Sequence, residues 1–297
     1  MDMKTLIILM YLILTLGSCA NKNETNTAII DKTEKSISSP STKPNEPNLN
    51  QANVKDEPDQ PIISSSKEEK KIFVSNSGEL KEAILSASPN DCIVLENGIW
   101  NNLKINFSSK ANSSSPITLQ AQTAGLVILS GSSNISITEP YLIISGLLFE
   151  NGSLDKGSVI RMDADHCKVL NTAIINYNPL DLKTSYFWVR IKGSHNIIKN
   201  CFFEGKSNNK PVIINYDYSA KHNVISDCYF KDIPLVPNNN GREIIRVVGP
   251  GHNDKSENDG AYCRIESNLF ENADGEGVEI VSLKSNHNTV SNNTVRS

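Results

Sequence analysis

No apolar run in these 297 residues reaches the ~18 that a membrane-spanning helix requires, so no such span is written into the chain. An excess of one charge is missing too. Lys and Arg number 29 against 33 Asp and Glu, and a formal net charge of −4 gives no support for a nucleic-acid binder, which would be clearly basic. Cysteines are few. There are six, none in a CxxC pair, which excludes a disulfide scaffold and a zinc ribbon.

What is present is unevenly distributed. Residues 5–16, TLIILMYLILTL, form a 12-residue apolar block behind Lys4, the size of a signal-peptide core. It runs into Leu16-Gly17-Ser18-Cys19, which resembles the lipobox of bacterial lipoproteins. That resemblance implies cleavage before Cys19, a lipid on its thiol and export. With Ala20 rather than Asp next, it also implies an outer-membrane anchor. The plainer alternative is a secretory peptide in which Cys19 is incidental. Residues 20–70 are Asn, Lys, Glu, Ser, Thr and Pro without apolar periodicity. Such a segment cannot bury enough surface to offset its ordering entropy, and is expected to be a disordered tether with a reach of about 40 Å.

The folded domain is expected over 71–297. Ser77–Ala87 places Leu80, Ala83, Ile84 and Ala87 on one helical face, with Ser77 as N-cap. Beyond it the apolar segments are short, β-branched and alternating, with Gly, Asn, Ser and Asp turns, so no further helix is expected. Four segments repeat: DHCKVLNT ending at Thr172, SHNIIKNC at Cys201, KHNVISDC at Cys228 and NHNTVSNN at Asn293. A fifth, AYCRIESN ending at Asn268, carries Tyr262 in the His position. The end positions step by 29, 27, 40 and 25 residues. Several short strands per repeat of this length predict an all-β parallel β-helix, each turn about 4.8 Å from the next, with the early helix capping its first edge.

Stacking accounts for His166, His195, His222 and His287 as one ladder, which leaves them little claim to catalysis. Asn196, Asn223 and Asn288 form an adjacent ladder whose amides can satisfy turn backbone groups. The cysteines are expected to be buried free thiols, a Cys201–Cys228 bridge being the alternative.

The break in the repeat is more informative. The long insertion lies between Arg246 and Tyr262. NGREIIR (240–246) precedes it, and DGEGVEIVSLKS (274–285) follows one turn later. Aligned, Asn240 falls over Glu276, Glu243 over Glu279 and Arg246 over Ser282. That gathers Asn240, Glu243, Glu276 and Glu279 beside Arg246 and Lys284. Close carboxylates repel, and a hard cation such as Ca²⁺ with oxygen ligands relieves them. A solvated acidic face paired to Arg and Lys would do so equally well.

These two motifs, with SPITLQAQTAGLVILSGSSN, YLIISGLLFENG and WVRIKGSHNIIKNCFFEGK, resemble polysaccharide lyase family six, the alginate lyases and chondroitinase B, over about 72–297. The resemblance implies a right-handed parallel β-helix that cleaves uronic-acid polysaccharides by β-elimination. It implies Ca²⁺ held by Asn240, Glu276 and Glu279, and Lys284 as the base. The family's Glu-x-Glu is one residue longer here, so Glu276 requires a bulge at Gly277 to face the metal, with Glu243 as its substitute. Arg246 is expected to hold a substrate carboxylate by a bidentate contact. The family's acid Arg would fall near position 305, about 21 residues past Lys284, so this chain is expected to be a fragment or a truncated lyase. Alginate is the expected polymer, dermatan or chondroitin sulfate the lesser one, and a monomer is expected. The alternative is a surface-anchored glycan-binding β-helix without chemistry. A hydrolase would need an acid–base carboxylate pair, and Asp163 and Asp165 lie turns away.

Overall fold

The computed structural model describes residues 69–235, 240–249 and 259–297. The apolar block expected to be a signal peptide, Cys19 and almost all of the expected tether lie outside the described residues, as does the middle of the insertion.

Among the described residues, twenty-four short strands build three parallel sheets of nine, seven and eight strands, and each full turn of the chain adds one strand to every sheet. The result is a β-solenoid. The first sheet runs from Lys71–Val74 to Thr289–Ser291, the second from Lys104–Phe107 to Val281–Leu283 and the third from Gly98–Asn101 to Thr294–Arg296. In the first sheet Lys168 pairs with Ile197, Ile197 with Val224, Val224 with Arg264 and Arg264 with Thr289. Those offsets are 29, 27, 40 and 25, the repeat steps read from the sequence.

Alternation along each strand sends one set of side chains inward, where they stack in columns. Ile144, Val169, Ile198, Ile225 and Ile265 make one column, and Phe203, Phe230 and Phe270 another, all buried. The three phenyl rings stack at centroid separations of 5.1 and 4.9 Å.

One helix is described, α1 (Ser77–Ser86), and Leu80, Ala83 and Ile84 are its buried face. Its N-cap is Asn76, one residue before the Ser77 expected. The Asn76 amide oxygen accepts from the N–H groups of Gly78 and Glu79, both at 3.0 Å, and Glu79 reaches back to the Ser75 N–H at 2.7 Å. No described helix is long and apolar enough to cross a membrane.

The four ladder histidines stand in one column. Tyr141, His166, His195, His222, Tyr262 and His287 stack ring on ring at 4.7–5.1 Å. Tyr141 extends the column one turn earlier than the repeat alignment did. All six have φ between 49° and 61°, the left-handed region that turns the chain at a solenoid corner. A second such corner uses Asn171, Asn200, Asp227 and Asn292, residue types that tolerate this conformation.

The asparagine ladder closes backbone groups across turns, as expected. Asn196 accepts from the Cys167 N–H at 2.8 Å, Asn223 from the Asn196 N–H at 2.8 Å and Asn288 from the Cys263 N–H at 2.9 Å. Cys92, Cys167, Cys201, Cys228 and Cys263 are buried free thiols. Burial pushes the Cys167 thiol up to about 11 and those of Cys92 and Cys263 to about 12.

Candidate active site

The site grows from the second sheet and the turns that enter it. Ile214, Arg246 and Ser282 are register partners on successive strands, so Arg246 does lie over Ser282. Glu243 precedes Arg246 by three residues and Glu279 precedes Ser282 by three, which brings the two carboxylates together across adjacent turns.

Glu276 arrives by a different route from the one expected. Residues 274–280 lie outside any strand, which begins only at Val281, so strand alternation does not govern Glu276. The left-handed residue is Gly275 (φ 62°) rather than Gly277. A Cβ on Gly275 would lie 2.6 Å from the Arg242 carbonyl oxygen, so the close approach of the two turns requires glycine there. It brings the Glu276 carboxylate within 2.9 Å of the Arg242 backbone N–H.

The carboxylates of Glu243, Glu276 and Glu279 then offer oxygens that all lie within 4.8 Å of one another, Glu243 and Glu276 being buried. Asn240 stands at the start of the same segment, exposed. The structure thus gathers both candidates for the metal site's buried carboxylate, Glu276 and Glu243, instead of choosing one.

Two of the three carboxylates have a positive partner, while Glu276 has the Arg242 backbone N–H. The Arg246 guanidinium clasps Glu243 through Nε at 2.7 Å and Nη2 at 2.5 Å. The bidentate edge expected to meet a substrate is therefore turned onto the protein, because Glu243, three residues away and buried, requires a counter-ion. Glu279 accepts from the Ser282 hydroxyl at 2.5 Å and from Lys284 Nζ at 3.2 Å. The Ser282 bond first, then Lys284 and Arg246, hold the Glu279 carboxyl below the usual range. Lys284 keeps a side chain 44% exposed.

Two buried cations behind this group were not singled out from the sequence. Arg242 donates through Nη1 to the Ser207 carbonyl at 2.9 Å and through Nη2 to that of Pro234, and burial lowers its guanidinium to about 10. Lys206 is fully buried, its Nζ held by Asn208 Oδ1 at 2.6 Å and by the carbonyls of Asn208 (3.0 Å) and Asn209 (3.3 Å). Burial, and then the Arg242 charge, push its ammonium well below the ordinary range. Isolated cations in polar loops carry no periodicity, so only the repeat register would have drawn attention to Arg242, beside Glu243.

Among known proteins the family model described as chondroitinase B matches residues 74–297. The chain belongs to that family. A comparison with curated proteins returned no match. Among solved structures, a family six polysaccharide lyase from Pseudopedobacter saltans is 49% identical, with a TM-score of 0.74 over 75% of this chain and 52% of its own. The family six alginate lyase AlyGC is 32% identical, with a TM-score of 0.68 over 76% of this chain and 32% of its own. A mannuronic acid specific family six lyase from human gut microbiota is 25% identical, with a TM-score of 0.65 over 76% and 53%. This chain spans about half the length of the first of these and a third of the second.

The donor set of this chondroitinase B family member fits a hard cation. Three carboxylates supply only oxygens, with Asn240 at the head of the same segment, and oxygen is what Ca²⁺ prefers. Arg246 and Lys284 already offset two of the three negative charges, so a cation would bind in competition with them.

Proposed function

We propose that the protein is a uronic-acid polysaccharide lyase that acts by β-elimination, with alginate as its polymer and Ca²⁺ as its cofactor. The observation that carries the reading is the convergence of Glu243, Glu276 and Glu279 with Lys284 and Arg246 on adjacent turns of a chain of this family. The likeness to an alginate lyase and to a mannuronic acid specific lyase supports the choice of polymer.

The difficulty in the reaction is the C5 proton of a uronate, a weak acid beside an ionised carboxylate. A bound Ca²⁺ would neutralise that carboxylate and stabilise the enolate-like charge of the transition state. Asn240, Glu276 and Glu279 would hold the ion. Lys284, half in solvent at the end of the strand after these residues, gives its own proton to water and, as the neutral amine, takes the C5 proton as general base. The C5–H electrons become the C4–C5 double bond, the C4–O4 bond breaks, and the departing O4 takes a proton from water. Arg246, anchored on Glu243 by Nε and Nη2, retains Nη1 to orient the substrate carboxylate.

The test is ultraviolet absorbance of the unsaturated uronate product, with the full chain on alginate and with dermatan sulfate and pectate as controls. Lys284→Ala should lower any activity by about 10²- to 10⁴-fold, the usual cost of losing a proton-transfer group. No product from any uronate polymer would refute the lyase reading and leave a glycan-binding solenoid.

A further inference from the structure

The outward column of the second sheet contains three arginines. Arg161 pairs in register with Arg190, Arg190 with Ile214 and Ile214 with Arg246. Their neighbours Ile160, Met162, Val189, Ile191, Ile245 and Val247 are buried, so the arginines project from the opposite face. Two of the three are neutralised. Arg161 holds Asp163 at 2.6 Å and Arg246 holds Glu243.

Arg190 differs. Among the described residues it makes no ion pair; its Nε, like that of Arg161, is buried without a hydrogen-bond partner. Its guanidinium lies over the Tyr216 ring, 4.9 Å from the centroid, and Tyr216 meets Phe187 edge to face at 6.2 Å. Tyr216 is 46% exposed. On the neighbouring turn Ser158 Oγ and Asp163 Oδ1 are also buried without partners. This face thus combines an uncompensated cation, an exposed aromatic ring and unsatisfied polar groups.

We propose that Arg190 and Tyr216 form a subsite for a uronate residue of the polysaccharide, two solenoid turns to the N-terminal side of Arg246. The proposal deepens the lyase reading and rests on it. A guanidinium fixed on a ring face presents its remaining N–H groups in a fork that matches a carboxylate, and the ring offers its flank to the apolar C–H face of a sugar. The spacing suits a polymer. Two turns at about 4.8 Å each separate Arg190 from Arg246, and one turn is roughly the length of one sugar unit in an extended chain. A chain lying along the solenoid axis with one carboxylate at Arg246 therefore brings another, two units on, to Arg190. A dimer held at the Arg246 end is too short to reach it.

The test is calorimetry of saturated uronate dimers and hexamers binding to the full chain, in a Lys284→Met background so that nothing is cleaved. Arg190→Ala should weaken hexamer binding tenfold or more and leave dimer binding unchanged. Arg190→Lys should recover part of the loss, because it returns the charge without the fork, and Tyr216→Leu should weaken the hexamer as well. Thermal melts of each variant should match the parent. Hexamer affinity unchanged in Arg190→Ala would overturn the subsite while the lyase reading stands. Equal losses for dimer and hexamer, with a lowered melt, would also overturn it, since that is the mark of a structural role. A parent chain that binds no uronate, and whose Lys284 form yields no unsaturated product, would overturn both.

Discussion

Asn223 offers a sharp test of what holds successive turns in register. Its side chain is fully buried and makes three hydrogen bonds. The amide oxygen accepts from the Asn196 N–H at 2.8 Å, and Nδ2 donates to the Gly193 carbonyl at 3.0 Å and to Asn215 Oδ1 at 2.7 Å. Asn215 in turn donates to the Val248 carbonyl at 2.6 Å, at the edge of the candidate site. Asn223→Ala leaves three buried polar groups without that partner. At about 1–2 kcal/mol for each, the loss is about 3–6 kcal/mol, which for a domain of this size lowers the melting temperature by about 10 °C or more. Asn196→Ala is the control. Asn196 is equally buried and occupies the same ladder, but its oxygen accepts only the Cys167 N–H and its Nδ2 has no partner among the described residues. It should cost only about 1–2 kcal/mol. Circular dichroism melts and urea titrations of both variants make the comparison. Equal losses in the two would refute the hydrogen-bond account and reduce the ladder to space filling.

Three further outcomes follow from the same contacts. Calorimetry on the full chain should detect Ca²⁺ binding that Glu276→Gln weakens at least tenfold; a wild-type chain giving no heat would sink the metal assignment. Asp217 is held below the ordinary carboxylate range first by the Ser219 N–H and then by the Ser219 hydroxyl. With a depressed folded value, its contribution to stability is present above the unfolded pKa and is lost as pH falls through the folded one. Ser219→Ala should return only the hydroxyl's share, so an NMR titration in which Asp217 regains its full ordinary value would contradict the backbone's leading role. Cys92, Cys167 and Cys263, pushed up to about 11–12 by burial, should resist iodoacetamide at mildly alkaline pH in the native protein and react on unfolding. Site-resolved mass spectrometry showing fast native labelling of Cys263 would contradict that burial.

The repeat was legible because solenoid stacking is a one-dimensional problem. When each turn pairs only with its neighbours, sequence spacing is register, and steps of 29, 27, 40 and 25 residues became strand pairings without adjustment. The histidine and asparagine ladders were legible for the same reason, since a recurring corner calls for residues that accept a left-handed φ or cap a turn. The alignment of Glu243 with Glu279 and of Arg246 with Ser282 also came from spacing alone.

Tertiary structure decided what spacing cannot carry. Where the chain leaves the strand, alternation no longer tells which way a side chain points, so the route of Glu276 depended on Gly275 meeting the Arg242 carbonyl. Which cation meets which carboxylate is a matter of ångströms, and it turned the paired edge of Arg246 onto Glu243 while leaving Lys284 to Glu279. The burial of Lys206 and Arg242 arises from loops packing against one another, and the unneutralised Arg190 meets its tyrosine across neighbouring turns. Sequence sets the order of residues along each turn. Charge compensation is settled only when the fold brings side chains into the same few ångströms of desolvated space.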